Sequence, residues 1–198
     1  MRPDLAAAVE AVSAGGRFLY TSGQLRHELR RRGLGGDVPA GEPLPGLLPA
    51  GPPPAEWPRA ALDPDVFDYS VRRWFVFDRP EPMVFFARNA FHQKIEVGLV
   101  AAPRFPAQIW ERMERQLATG VATTFYLFHD GGPGGVDFAA KVEELLAPHG
   151  RPRLVEGGLT PAQCGAHHLT ELEEMLPLEL LRFAYGRVVR TAEEIGFG

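Results

Sequence analysis

The chain has 198 residues, of which 45% are hydrophobic, and a formal net charge of −4. That is enough apolar material for a sizeable core, which excludes a disordered chain, and no apolar run approaches the roughly 20 residues that a membrane helix needs. The single cysteine, Cys164, excludes an internal disulfide and a clustered-cysteine zinc site, and Asp4 and Glu10 interrupt any leader-like stretch, so a soluble cytoplasmic protein with no membrane partner is expected.

Residues 4–13 have helix-forming composition and stop at Gly15 and Gly16. Thr21 or Ser22 then caps a second helix, SGQLRHELRRRG, which ends at Gly33. Leu25 and Leu29 share its apolar face, while Arg26, Arg30 and Arg31 occupy another. Residues 1–36 carry six arginines against Asp4, Glu10 and Glu28, so this head is +3 and the remainder −7. A basic helix after a short turn suits a winged-helix-like unit that contacts DNA; a solvated charged face suits the same residues. From Asp37 to Leu62, eight prolines and three glycines in 26 residues read as a linker or draped strap. The expected organisation is therefore a helical head over 1–36, a linker over 37–62 and an α/β domain over 63–198.

After the linker, VRRWFVFDR and MVFFA read as two strands on either side of Pro80-Glu-Pro82. Arg88, His92 and Lys94 follow them, placed to line a mixed-charge rim. FPAQIWERMERQLATG reads as a helix with Ile109, Met113 and Leu117 on one face, stopping at Gly120. Next come a strand at 123–129, a helix at about 136–147, a short strand at 151–156 and helical material from Thr160. A last helix starts at Pro177, with Leu181, Ala184 or Tyr185, and Val188 at core spacing. Such alternation implies a mainly parallel α/β sheet. The unbroken apolar run Phe125 to Phe128 makes its strand central, because central parallel strands are buried on both faces.

That strand ends at Asp130. Gly131, Gly132, Gly134 and Gly135, around Pro133, then turn the chain into a helix. Amides of such a turn can cradle a phosphate, and a carboxylate at a strand end can hold a cation or act as a general base. The turn lacks the Gly-Lys-Ser/Thr ending of a P-loop, so a tight structural turn is the competing reading. His129, Asp130, His167 and His168 are a candidate transition-metal set, although adjacent histidines point apart on any regular element.

Taken in order, these motifs resemble the Toprim domain of the topoisomerase VI A subunit family and the related subunits of chromosome-maintenance defence systems. In that family a first strand ends in a glutamate followed by a short helix, and a later strand ends in Asp-x-Asp-Pro-x-Gly. Here MVFFARNAFHQKIE is similar to the first element and FHDGGPGGVDFAAKVEELL to the second. VEGGLTPAQ resembles the turn that follows, and RFLYTSGQLRHELRRRG the winged-helix segment that carries the DNA-attacking tyrosine. The resemblance implies a Toprim-like, Rossmann-like sheet with a small helical, winged-helix-like head. On it the glutamate position falls at Ala87, the second aspartate at Gly132 and the tyrosine pair near Arg26 and His27, with Tyr20 a packing residue. Only Asp130 remains of the acidic set, so magnesium is expected to bind weakly or not at all, and no other cofactor is implied.

The function implied is that of a catalytically degenerate protein, not an active topoisomerase or nuclease. It would bind nucleic acid through Arg26, Arg30, Arg31, Arg88 and Lys94, or serve as a subunit of a DNA-processing or DNA-defence assembly. The residues alone leave a second reading open. In it a small α/β enzyme acts on a phosphorylated small molecule, with Asp130 catalytic and Gly131, Gly132, Gly134 and Gly135 holding the phosphate.

Overall fold

The computed structural model describes residues 2–38, 43–49, 72–102, 107–120, 122–167 and 169–194. They fall into two compact units, Met1–Gly51 with Glu171–Gly198, and Pro52–Thr170. The last helix thus groups with the N-terminal residues, whereas the sequence places it in an α/β domain running to residue 198.

The second unit is built on four parallel strands in the order β2-β1-β3-β4. These are β1 Arg73–Phe77, β2 Gly98–Ala101, β3 Thr124–Phe128 and β4 Arg153–Glu156. The result is a Rossmann-like α/β sheet with β1 and β3 in the middle, as the apolar continuity of 125–128 requires. Alternation sorts each central strand into two faces. Trp74 and Val76 of β1 join Phe125 and Leu127 of β3 under the helix Phe138–Leu146, which contributes Phe138, Val142 and Leu146. On the other face, Phe75 and Phe77 meet Phe128 at ring distances of 4.7 and 5.4 Å. Phe86 covers them from the helix Pro80–Arg88. Burying each such ring is worth about 1.5–3 kcal/mol, so these two faces are the main source of the unit's stability.

The helices are α1 Pro3–Ser13, α2 Ser22–Arg31, α3 Pro80–Arg88, α4 Phe91–Lys94, α5 Ala107–Ala118, α6 Pro133–Val136, α7 Phe138–Leu146, α8 Pro161–His167 and α9 Pro177–Glu194. The segment MVFFA, expected as a strand, lies within α3. Pro80 stands at the helix start, where its missing N–H is not needed, and a second proline two residues on is incompatible with a central strand. Pro82, Met83, Phe85 and Phe86 are buried. With so much of the helix covered, the apolar run shows no helical period to read. The strand that follows it, β2, has no counterpart in the sequence reading.

In the first unit Thr21 caps α2 through a reciprocal pair of bonds. Gln24 N–H donates to Thr21 Oγ1 at 3.2 Å, and Thr21 N–H donates to Gln24 Oε1 at 3.0 Å. Gln24 also donates to the Met175 carbonyl, linking α2 to the residues before α9. Leu5, Ala8, Val9 and Val12 of α1 pack with Tyr20, Leu25, Leu29 and Leu44. Residues 43–49 of the proline-rich stretch act as a strap, in which Tyr20 and Leu48 donate backbone bonds to Gly46 and Tyr20 and in which Leu44 and Leu48 are buried. Tyr20 is fully buried, in keeping with a packing role. In α9, Leu181, Ala184 and Val188 are buried and Tyr185 is exposed, so Ala184 takes the core position. Among the described residues no helix is long and apolar enough to cross a membrane.

Candidate functional site

The sheet changes direction between its two central strands. From β1 the chain moves to β2 on one side, then returns past β1 to place β3 and β4 on the other. Ligands of open α/β sheets gather outside the carboxyl ends of the strands at such a point. Here the residues at those ends are Asp78 and Arg79 after β1, His129 and Asp130 after β3, and Glu156 at the end of β4.

Backbone bonds continue the sheet past its last regular residues and hold these side chains in place. Asp78 N–H donates to the Phe128 carbonyl, Gly157 N–H to that of Leu127, and Leu159 N–H to that of His129. Asp130 N–H donates to Asp78 Oδ2 at 3.2 Å. Asp78 Oδ1 is buried without a hydrogen-bond partner in the protein. Burial raises the Asp78 carboxyl above the usual range, opposed by the Asp130 amide and by the charges of Arg79 and His129.

Asp130 forms an ion pair with Arg79, whose Nη2 lies 2.6 Å from Asp130 Oδ2. The carboxylate singled out as a cation ligand or base therefore already has a guanidinium on it. His129 is buried, with Nε2 2.5 Å from Glu156 Oε1 and Nδ1 2.8 Å from the Asp130 carbonyl. With Glu156 ionised both neighbours accept, so the ring donates from both nitrogens as an imidazolium. Burial alone would lower its pKa, but Glu156, the Asp130 carbonyl and Asp78 outweigh that and raise it. A ring with both nitrogens donating offers neither a metal ligand nor a general base. Among the described residues no group of three or more His, Cys, Asp or Glu side chains is arranged to hold a metal ion.

The glycines serve this arrangement more than they serve a phosphate. A Cβ on Gly135 would fall 2.2 Å from His129 Nδ1, and one on Gly158 would fall 2.5 Å from His129 Nε2. The ring thus fills the space that two absent side chains leave. Gly131 abuts Cys164 Sγ in the same way, while Gly132 and Gly134 face open space. Two of the four turn amides are engaged within the protein, Gly131 N–H with the Thr170 carbonyl and Gly135 N–H with that of Gly132. The helix that follows, α6, is a single turn of four residues. At the other central strand end, prolines occupy the first and third positions of α3, removing two of the amides that could meet an anion.

The basic residues chosen from sequence are divided between the two units. Arg26, Arg30 and Arg31 lie on α2, in the first unit. There Arg30 meets Glu174 at 3.9 Å, Arg31 meets Glu28 at 3.6 Å, and Arg32 bonds Glu28 at 2.6 Å. Arg88 and Lys94 end α3 and α4, which carry the chain from the carboxyl end of β1 back to the start of β2. A nine-residue helix covers about 13 Å, so these two lie toward the opposite end of the sheet from Asp130, not on its rim. Ala87, assigned to the glutamate position, sits near the end of α3 and not at a strand end. The side chains of His167 and His168 lie outside the described residues.

Sequence reasoning missed Asp78, Arg79 and Glu156. A signal for Glu156 was present, because the strand end Val-Glu-Gly-Gly at 155–158 repeats the pattern of an acidic residue followed by two glycines seen at 130–132. No protein-family model, no curated protein and no solved structure matches the chain.

Proposed function

We propose that the chain is a catalytically degenerate Toprim-like protein that works by association, as a subunit of a DNA-processing or DNA-defence assembly. The observation that carries this reading is that Asp130 and Glu156, two of the three strand-end carboxylates, are paired with cations inside the protein. Arg79 holds Asp130, His129 holds Glu156, and the Asp130 amide holds Asp78, where a metal-dependent enzyme would leave carboxylates turned toward a cation. The order of motifs supports the family with one change of register. The strand followed by a helix is β1, so the first acidic position falls on Asp78 instead of Ala87, and Asp130-Gly-Gly132-Pro-Gly-Gly135 retains one of the two later aspartates.

Assembly with protein is favoured over direct binding of nucleic acid, because Arg30 and Arg31 of α2 pair with Glu174 and Glu28. The reading of a small enzyme acting on a phosphorylated molecule is less well supported, since Asp130 is ion-paired and the Gly131 and Gly135 amides are engaged within the protein. Calorimetry with magnesium and manganese tests the proposal. Weak or absent heat is expected, and tight binding abolished by Asp130→Ala would overturn it.

A further inference from the structure

His129 stands between the glycine turn 131–135 and the end of β4, its ring bonded to the Asp130 carbonyl just before the turn and to the Glu156 carboxylate. Its ring lies in the space that side chains at Gly135 and Gly158 would need, so the two glycine backbones flank it. The charged groups facing it are Glu156 from β4, Asp78 from the end of β1 and the neighbouring Asp130, itself paired with Arg79; α7 presents the edge of Phe138 at 6.0 Å. We propose that His129 is a proton-operated clamp on the glycine turn, which it fixes as an imidazolium and releases as a neutral ring.

The direction of release follows from the two acceptors. The bond to the Glu156 carboxylate is charge-assisted and the stronger, so Nε2 keeps its proton and Nδ1 gives one up. Nδ1 then turns a lone pair toward the Asp130 carbonyl oxygen, at a separation suited only to a hydrogen bond. With the ring kept on Glu156, the Asp130–Gly131 peptide moves instead. The turn can yield, since Gly132 and Gly134 have open space around them. Its movement also shifts Asp130, and with it the ion pair to Arg79 at the centre of the strand-end site. This device does not depend on the functional reading above.

Long-range nitrogen–proton NMR of the His129 ring across a pH series, with hydrogen exchange of the Gly131 and Gly135 amides, provides the test. Both ring nitrogens should carry protons at pH about 6, and the neutral ring above its transition should be the Nε2–H form. Protection of the two amides, corrected for the intrinsic pH dependence of exchange, should fall about tenfold in step with that transition. Glu156→Gln, at a half-exposed position that tolerates change, should fold and move both events together to lower pH. A neutral Nδ1–H ring, or amides whose protection is unchanged while the ring titrates, would overturn the clamp.

Discussion

The imidazole of His129 occupies the space that any side chain at Gly158 would need, a Cβ there falling 2.5 Å from its Cδ2 and Nε2 atoms. Gly158→Ala must therefore displace a ring that is hydrogen-bonded at both nitrogens. Urea unfolding should show a loss of about 1–3 kcal/mol, the usual range for overpacking. Gly135→Ala should behave alike, and Gly132→Ala, which meets open space, should change stability by less than about 0.5 kcal/mol. Equal effects at Gly158 and Gly132 would show that the ring does not set the requirement.

Arg79 and Asp130 form the second tie at the strand ends, and each remains partly exposed. Arg79→Gln should cost about 1–2 kcal/mol, because it leaves Asp130 beside Asp78 without its guanidinium. The double variant Arg79→Gln/Asp130→Asn should lose less than the sum of the single variants, with a coupling of about 0.5–2 kcal/mol that shrinks as salt is added. Strict additivity in denaturant titrations would deny the pair a role.

Two histidines bend the stability profile in opposite directions. His129 has its folded-state pKa raised above the ordinary 6.5, so its contribution is complete below that value and is lost as pH climbs through the raised one. His92 has its pKa lowered by burial, opposed by the backbone of Phe86, so its contribution is present above 6.5 and is lost as pH falls through the lowered one. Unfolding free energy measured over a pH series should thus fall away on both sides of near-neutral pH. Glu156→Gln should bring the alkaline loss to lower pH, and His92→Gln should remove its share of the acid-side loss.

For any DNA contact made by α2, Glu174 and Glu28 compete for Arg30 and Arg31. Short-duplex binding by fluorescence anisotropy should be weak, with a log–log salt slope shallower than the value of about −3 that three free phosphate contacts would give. Glu174→Gln should then strengthen binding by freeing Arg30, and Arg26, Arg30 and Arg31 all changed to Gln should abolish it. Tight binding indifferent to these changes would place the nucleic-acid surface elsewhere.

Regular elements with a clear period or a clear cap were legible in the sequence. The run Phe125 to Phe128 announced a central strand, and Thr21, with Ser22 as its alternative, announced the start of α2. MVFFA was not legible, because a short apolar run reads alike as a buried strand or a buried helix, and the deciding signal was the pair of prolines before it. β2 was hidden because four residues, Gly98–Ala101, carry too little alternation to separate from a loop. Asp130 could be placed at a strand end from its neighbours. Its ion pair could not, since Arg79 reaches it only once β1 and β3 lie side by side. Of the linker expected over 37–62, residues 39–42 and 50–62 lie outside the described residues.

The grouping of Met1–Gly51 with Glu171–Gly198 sets an order of events during synthesis. The first fifty or so residues leave the ribosome without Met175, whose carbonyl receives Gln24, and without Leu176, which packs on the α1–α2 core. All strands of the sheet are made before either arrives. The sheet unit can therefore close while the helical unit still waits for its second half, and a chain stalled before residue 171 would leave the α1–α2 core without Leu176 and buried Gln24 without its carbonyl.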